Sequence, residues 1–274
     1  MGNQHSRQSR QSKRRRFKET SSICSNEYSP SSTDSRNFSS PIEDHLKAGG
    51  LQILDIGCGP GTWMIDMAKT YPLCSFTGVD ISPLYPFNEL PENVEFIQAN
   101  LLDGLPIENS KFDFVVMHFL TIRQWKPIIK EAARVMKPGA WLEWMGYDPT
   151  LRNQGENTKK LRQSLLAASK SKGVDPWIIT EFPRILDNSG IFVNILNVKR
   201  TAVYGSIGGK CGELCVDISI STYQALKKAT MEFMSLTSQE YDLLLNNVRE
   251  EFERYQTIME LHRFCAQKIM IDIE

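Results

Sequence analysis

The residues best suited to chemistry lie in one short stretch, Leu51–Gly61, which reads Leu-Gln-Ile-Leu-Asp-Ile-Gly-Cys-Gly-Pro-Gly. Its apolar positions (Leu51, Ile53, Leu54, Ile56) predict a buried strand, and the run ends in glycines at alternate positions, Gly57, Gly59 and Gly61. A helical pattern starts near Thr62, with Trp63, Met64, Met67, Ala68 and Tyr71 on one side. Strand, glycine turn and helix together bring backbone N–H groups and a helix N-terminus up against a nucleotide-like ligand. Side chains at the glycines would block that approach.

Spacing narrows the ligand. A dinucleotide fingerprint needs G-x-G-x-x-G, and counting from Gly57 puts Thr62 where its third glycine belongs. The pattern here is D-x-G-x-G-x-G, from Asp55 to Gly61. With no pyrophosphate to hold, such a turn can be tighter and can follow an amino-acid-bearing adenosine. Asp80 ends the next predicted strand, where a carboxylate can accept from both ribose hydroxyls. A carboxylate there serves a nicotinamide dinucleotide equally well, so Asp80 does not choose between ligands.

The elements that must position these residues alternate. Strands are expected at Cys74–Asp80, Val94–Gln98, Phe112–Met117 and Ala140–Tyr147, with a helix from Trp125 to Met136 ended by Lys137-Pro138-Gly139. Pro83, Pro86, Pro91 and Pro106 make the connections around the third strand poorly helical. Further on, helices are expected at Asn157–Ser171 and Trp177–Asn188 and a long strand at Ile191–Tyr204. A glycine-rich loop, Gly205–Gly212, and a helix from about Val216 to Met234 follow. Thr237-Ser-Gln-Glu240 is a capping box opening a helix whose apolar face is Tyr241, Leu244, Leu245, Val248, Phe252 and Tyr255. A last strand near Leu261–Lys268 closes the pattern. Strands separated by helices at this spacing indicate a mainly parallel, doubly wound α/β sheet.

The 274 residues, 41% hydrophobic and 23% charged, suit one substantial core. Six scattered cysteines fit reduced thiols in an intracellular protein, and no second Cys or His pair joins Cys211 and Cys215, so no metal site is expected. No apolar run reaches the roughly 20 residues of a spanning helix, and no apolar segment near Met1 suggests a secretory signal. The zero net charge conceals an asymmetry. Residues 1–18 hold seven basic and no acidic residues, which leaves 25 basic against 32 acidic in residues 19–274, about −7. A nucleic-acid-binding core is therefore not expected.

Residues 1–40 contain twelve serines and read as a disordered basic tail, with folded structure beginning at Pro41. Met1-Gly2-Asn3-Gln4-His5-Ser6 matches an N-myristoylation pattern, and Lys13–Lys18 would supply the polybasic second signal for a membrane surface. A cytoplasmic, membrane-associated protein is the expectation. Nuclear import through the same basic run is the alternative.

The residues carry a family resemblance. Leu-Asp-Ile-Gly-Cys-Gly-Pro-Gly-Thr-Trp and Gly-Val-Asp-Ile-Ser-Pro resemble the class I S-adenosylmethionine-dependent methyltransferases. Phe-Ile-Gln-Ala-Asn-Leu-Leu-Asp-Gly-Leu-Pro, Lys-Phe-Asp-Phe-Val-Val-Met and Val-Met-Lys-Pro-Gly-Ala-Trp-Leu-Glu continue the match in the family's order, over about 51–147. More loosely, Gly205–Gly212 and the closing capped helix and strand are similar to a fungal-type subgroup akin to trans-aconitate-type and secondary-metabolism-regulator methyltransferases.

The resemblance implies a Rossmann-like seven-stranded sheet with its last strand antiparallel and helices on both faces. It implies one methyltransferase domain over 41–274, with a cofactor half at about 41–150 and substrate-side elements at about 151–260. Asp55 opens the cofactor motif. Gly57, Cys58, Gly59 and Gly61 would line the methionine and ribose of S-adenosylmethionine. Asp80 would bind the ribose, Ile81 would pack on adenine, Asn100 would accept from the adenine amino group, and the Leu101 backbone would face the ring. Met117 and His118 would lie near the sulfonium, His118 being the one candidate general base. The implied reaction is methyl transfer to an O or N atom of a small molecule. A regulatory or membrane-attached protein on the same fold, with weak or lost activity, is the alternative.

Overall fold

A computed structural model describes residues 37–82, 90–120 and 125–270. The first elements are α1 (Glu43–Ala48), β1 (Gln52–Ile56), α2 (Thr62–Thr70), β2 (Ser75–Asp80), β3 (Val94–Gln98), a 3-10 turn (Leu101–Asp103), β4 (Phe112–His118), α3 (Trp125–Val135) and β5 (Met136–Arg152). They are followed by α4 (Glu156–Ser171), α5 (Ile178–Asp187), β6 (Phe192–Val203), a 3-10 turn (Ser206–Gly208), α6 (Gly209–Ala225), α7 (Lys227–Met234), α8 (Ser238–Tyr255) and β7 (Ile258–Lys268). The strands form one seven-stranded sheet in the order β3-β2-β1-β4-β5-β7-β6. β1 pairs in parallel with β2 and β4, β2 with β3, and β4 with β5, while the last strands are antiparallel.

Central strands are largely apolar because both faces are covered. Ile53, Leu54 and Ile56 of β1 and Phe114 to Met117 of β4 are all buried. Phe38, Leu46, Trp63, Met64, Met67, Phe76 and Phe114 share one core cluster, so the helical face read from Thr62 onward is the face α2 buries.

The chain divides into two compact units. Among the described residues the first takes 37–82, 90–120, 125–146, 179–199 and 262–270, and the second 147–178 and 200–261. The break near 147 lies close to the expected change from cofactor to substrate-side elements. Residues 179–199 and the end of the chain, however, belong with the first unit.

Three expectations need adjustment, and one falls outside the described residues. Residues 37–40, read as tail, are part of the first unit: Phe38 is buried and its ring meets Phe114 edge-on at 6.3 Å. Residues 1–36, with the myristoylation and basic motifs, lie outside the described residues. Lys137-Pro138-Gly139 does not delay the fifth strand to Ala140. Met136 already pairs with Phe112, and the next pair is Phe114 with Trp141, so the Pro-Gly segment is absorbed as an irregularity inside a strand running to Arg152. Finally, the expected helix Val216–Met234 is two helices, α6 and α7, the first starting as early as Gly209. The glycines of that segment serve backbone contact: Gly208 and Gly212 lie so close to the Val203 carbonyl that neither has room for a Cβ. The capping box forms as read, with Thr237 accepting from the Glu240 N–H and Glu240 accepting from the Thr237 N–H. Among the described residues no helix is long and apolar enough to cross a membrane.

Candidate functional site

The site is built where β1 and β2 end side by side in the first unit. The Gly57 and Cys58 N–H groups both donate to the Val79 carbonyl, at 2.7 and 3.1 Å, and the Gly61 N–H donates to the Cys58 carbonyl at 2.8 Å. These bonds curl the turn back over the tip of β2. The Asp80 carboxylate meets it there, accepting from the Gly59 N–H through Oδ2 at 2.9 Å and from the Ser82 N–H through Oδ1 at 2.8 Å. A carboxylate can accept about four hydrogen bonds, so each oxygen retains a lone pair for a ligand.

The three glycines hold φ values of +75° (Gly57), +52° (Gly59) and +70° (Gly61), a region that other residues enter at a cost. They differ in surroundings. A Cβ at Gly57 would run into the Leu120 side chain and one at Gly61 into the Phe96 ring, whereas no atom of the described residues lies within 4 Å of the Cβ position at Gly59. Two glycines thus allow close packing, and the middle one opens the turn to an approaching ligand. Beside this opening Ile81 is 62% exposed, an apolar surface next to the Asp80 acceptor.

Asp55 lies beneath the turn. It is buried, and its Oδ1 has no hydrogen-bond partner. Burial first, and the nearby Asp80 charge second, push its carboxyl up to about 8. Cys58 is buried as well. Desolvation, followed by the charges of Asp55 and Asp80, raises its thiol well above the ordinary range, which disfavours the thiolate form.

Asn100 caps the 3-10 turn Leu101–Asp103. Its Oδ1 accepts from the Leu102 N–H at 3.2 Å, and its Nδ2 donates to Asp103 Oδ2 at 2.9 Å. The oxygen expected to meet an adenine amino group therefore already fixes this turn, with one lone pair left over. Leu101 is half-buried, and Leu102 beside it is exposed. Met117 is fully buried in β4.

His118 closes β4 with its ring edge-on to Trp63, centroids 5.0 Å apart. Part of the residue is exposed, but Nε2 is sealed and has no hydrogen-bond partner. Burial, aided by the Arg263 charge, holds the imidazole down to about 3. It is neutral at physiological pH and a poor proton acceptor there. The following residue, Phe119, takes φ +51° while its N–H donates to the Met145 carbonyl at 2.8 Å, so the chain bends sharply as it leaves β4.

One polar cluster of the same unit was not read as a functional group. Glu143 Oε2 accepts from the Ser39 N–H, the Ser40 N–H and the Ser40 hydroxyl, each at 2.8 Å, while Arg263 Nη1 stands 3.9 Å from Oε1. The Trp63 indole N–H donates to the Asn37 carbonyl at 2.9 Å. Together these bonds fasten residues 37–40 beside the helix that begins at the glycine turn. The sequence does carry a signal for this cluster: single charges inside apolar strand runs, Glu143 in Trp-Leu-Glu-Trp and Arg263 in His-Arg-Phe.

Comparison with known proteins follows this geometry. Residues 53–139 match the family described as Methyltransferase domain. Methyltransferase str2 of Strobilurus tenacellus is 35% identical over 95 residues, 33% of this chain and 34% of the relative. The secondary metabolism regulator laeA of Aspergillus niger is 30% identical over 117 residues, 41% of this chain and 31% of the relative. The chain thus spans about a third of the length of these curated relatives. Among solved structures, phosphoethanolamine N-methyltransferase 2 of Haemonchus contortus in complex with S-adenosyl-L-methionine superposes with a TM-score of 0.52 at 16% identity, over 81% of this chain and 49% of that one. The [4+2]-cyclase SpnF superposes with a TM-score of 0.50 at 15% identity, over 83% and 80%. The sheet is therefore the Rossmann-like methyltransferase sheet, a fold that also carries other chemistry.

Proposed function

We propose that this chain, whose residues 53–139 match the methyltransferase-domain family, transfers a methyl group from S-adenosylmethionine to an O or N atom of a small molecule. The observation that carries the reading is the opening at Gly59, flanked by the Asp80 carboxylate and the exposed Ile81. An adenosine fits this set of groups. Asp80 offers acceptors for ribose hydroxyls, Ile81 an apolar surface for a base, and the Gly57–Gly61 backbone an approach free of side chains. Asp55, buried with an unpartnered oxygen below the turn, would accept a hydrogen bond from the amino-acid end.

When bound, this cofactor supplies an electrophilic methyl group on a sulfonium. The protein's part is to hold donor and acceptor in line and to exclude water. His118 is a poor proton acceptor, because burial makes its imidazole a weak base and its Nε2 is sealed. The acceptor atom accordingly arrives with its lone pair free, as a carboxylate, phenolate or unprotonated amine would. Regulators among the relatives keep a second outcome in view, a domain that binds the cofactor without rapid turnover.

Calorimetric titration of S-adenosylhomocysteine tests the assignment. Wild-type protein should bind it saturably, and Gly59→Arg and Asp80→Ala should each weaken binding at least tenfold. Equal affinity in all three proteins would refute the site.

A further inference from the structure

The second unit buries a charge that has no counter-charge among the described residues. Arg162 of α4 is buried, and its Nε donates to the Pro149 carbonyl at 3.1 Å. Its guanidinium lies 5.5 Å from the centre of the Tyr147 ring and close enough to Tyr223 of α6 for the two side chains to interact. Tyr204, at the end of β6, lies close enough for its hydroxyl to feel the same charge, and that hydroxyl sits 3.0 Å from Ser219 Oγ. The Arg162 Nη2 is buried with no hydrogen-bond partner. Among the described residues no carboxylate figures among the groups acting on Arg162; those that do are Tyr147, Tyr204 and Tyr223, and burial raises the phenols of the last two. A guanidinium stays charged at any physiological pH, and leaving one buried without an anion is costly.

We infer that Arg162, with Tyr147, Tyr204 and Tyr223, forms a binding site for a small oxyanion, a carboxylate or a phosphate. Four separate elements, β5, the end of β6, α4 and α6, bring these side chains together within one unit. The planar fork of the guanidinium presents paired N–H donors that match two oxygens of a carboxylate or phosphate. Tyr147, stacked on the guanidinium, is itself 42% exposed and gives the cluster a face toward solvent. Tyrosine hydroxyls around the charge add donors without adding a competing negative group. The inference concerns the second unit alone and stands whether or not the first unit binds S-adenosylmethionine.

The test uses the full chain and four probes: succinate, citrate, inorganic phosphate and the uncharged succinamide, each titrated by calorimetry. At least one oxyanion should bind saturably, at least tenfold more tightly than to Arg162→Met, and succinamide should not bind. Selectivity for the two carboxylates would support a carboxylic acid ligand, and selectivity for phosphate a phosphate ester. Should Arg162→Met fail to fold by circular dichroism, Tyr223→Phe, which removes one hydroxyl, should weaken the same oxyanion severalfold. Absence of saturable binding by any of the three oxyanions, or equal binding by the variants, would overturn the site. A parallel S-adenosylhomocysteine titration of the same samples reports the cofactor reading separately.

Discussion

Asp80 Oδ2 accepts a hydrogen bond from the Gly59 N–H at 2.9 Å, tying the end of the second strand to the one glycine of the turn that faces open space. The bond sets where the turn opens and keeps a carboxylate at its rim. The glycines on either side support the same shape by allowing Leu120 and Phe96 to pack against the backbone.

The three glycines should therefore respond differently to substitution. Gly61→Ala forces a Cβ into the Phe96 ring at φ +70°, and the left-handed conformation alone costs about 1–2 kcal/mol. Gly59→Ala carries a similar conformational cost with no collision. Chemical denaturation should show Gly61→Ala to be the less stable of the two, and S-adenosylhomocysteine titration should show Gly59→Ala as weakened in binding while still folded. Equal stabilities would contradict the packing role of Gly61.

Asp55 makes stability depend on pH. Its carboxyl stands at about 8 in the folded chain, above an ordinary value of 3.8. Between these values the unfolded chain gives up a proton that the folded chain keeps, so stability falls as pH rises from about 4 to about 8 and then levels off. The slope is about 1.4 kcal/mol per pH unit at most. Asp55→Asn removes the titration, so its melting temperature should gain on wild type between pH 5 and pH 8. A constant difference across that range would show that Asp55 is not buried as a neutral acid.

His118 should stay uncharged wherever the protein is active. The unfolded imidazole protonates near 6.5 and the folded one only near 3, so its contribution to stability is present above 6.5 and is lost as pH falls toward 3. In a carbon-13 histidine spectrum its ring signals should remain flat from pH 8 to pH 5. A midpoint near 6.5 would return His118 to the candidates for general base.

Glu143 should hold the start of the folded chain in place. Glu143→Ala strips the acceptor from Ser39 and Ser40 and removes the carboxylate that stands 3.9 Å from Arg263. Hydrogen exchange should show the Ser39 and Ser40 amides losing protection, while amides of α8 in the second unit change little. Unchanged protection at Ser39 and Ser40 would remove the fastening role.

Much of this arrangement is legible in the sequence because it is local. The strand, turn and helix from Leu51 to Tyr71 declare themselves through periodicity and glycine spacing within twenty-one residues. The capping box at Thr237 needs only four. What escaped is non-local. Pro138 and Gly139 are a stop signal in sequence, yet pairing of Met136 with Phe112 carries the strand through them. The inclusion of residues 37–40 depends on Glu143, more than a hundred residues away. Arg162 gave no warning because a lone arginine in a helix looks solvated until Tyr147, Tyr204 and Tyr223 surround it.

The most direct test of the account is catalytic. Purified full-length protein is incubated with S-adenosylmethionine carrying a labelled methyl group and a fractionated small-molecule extract, and products are resolved by mass spectrometry. The account expects a methylated small molecule, formed in step with S-adenosylhomocysteine and missing from reactions with Gly59→Arg. Binding of S-adenosylhomocysteine with no labelled product in any fraction would contradict the transferase and leave a cofactor-binding domain without turnover.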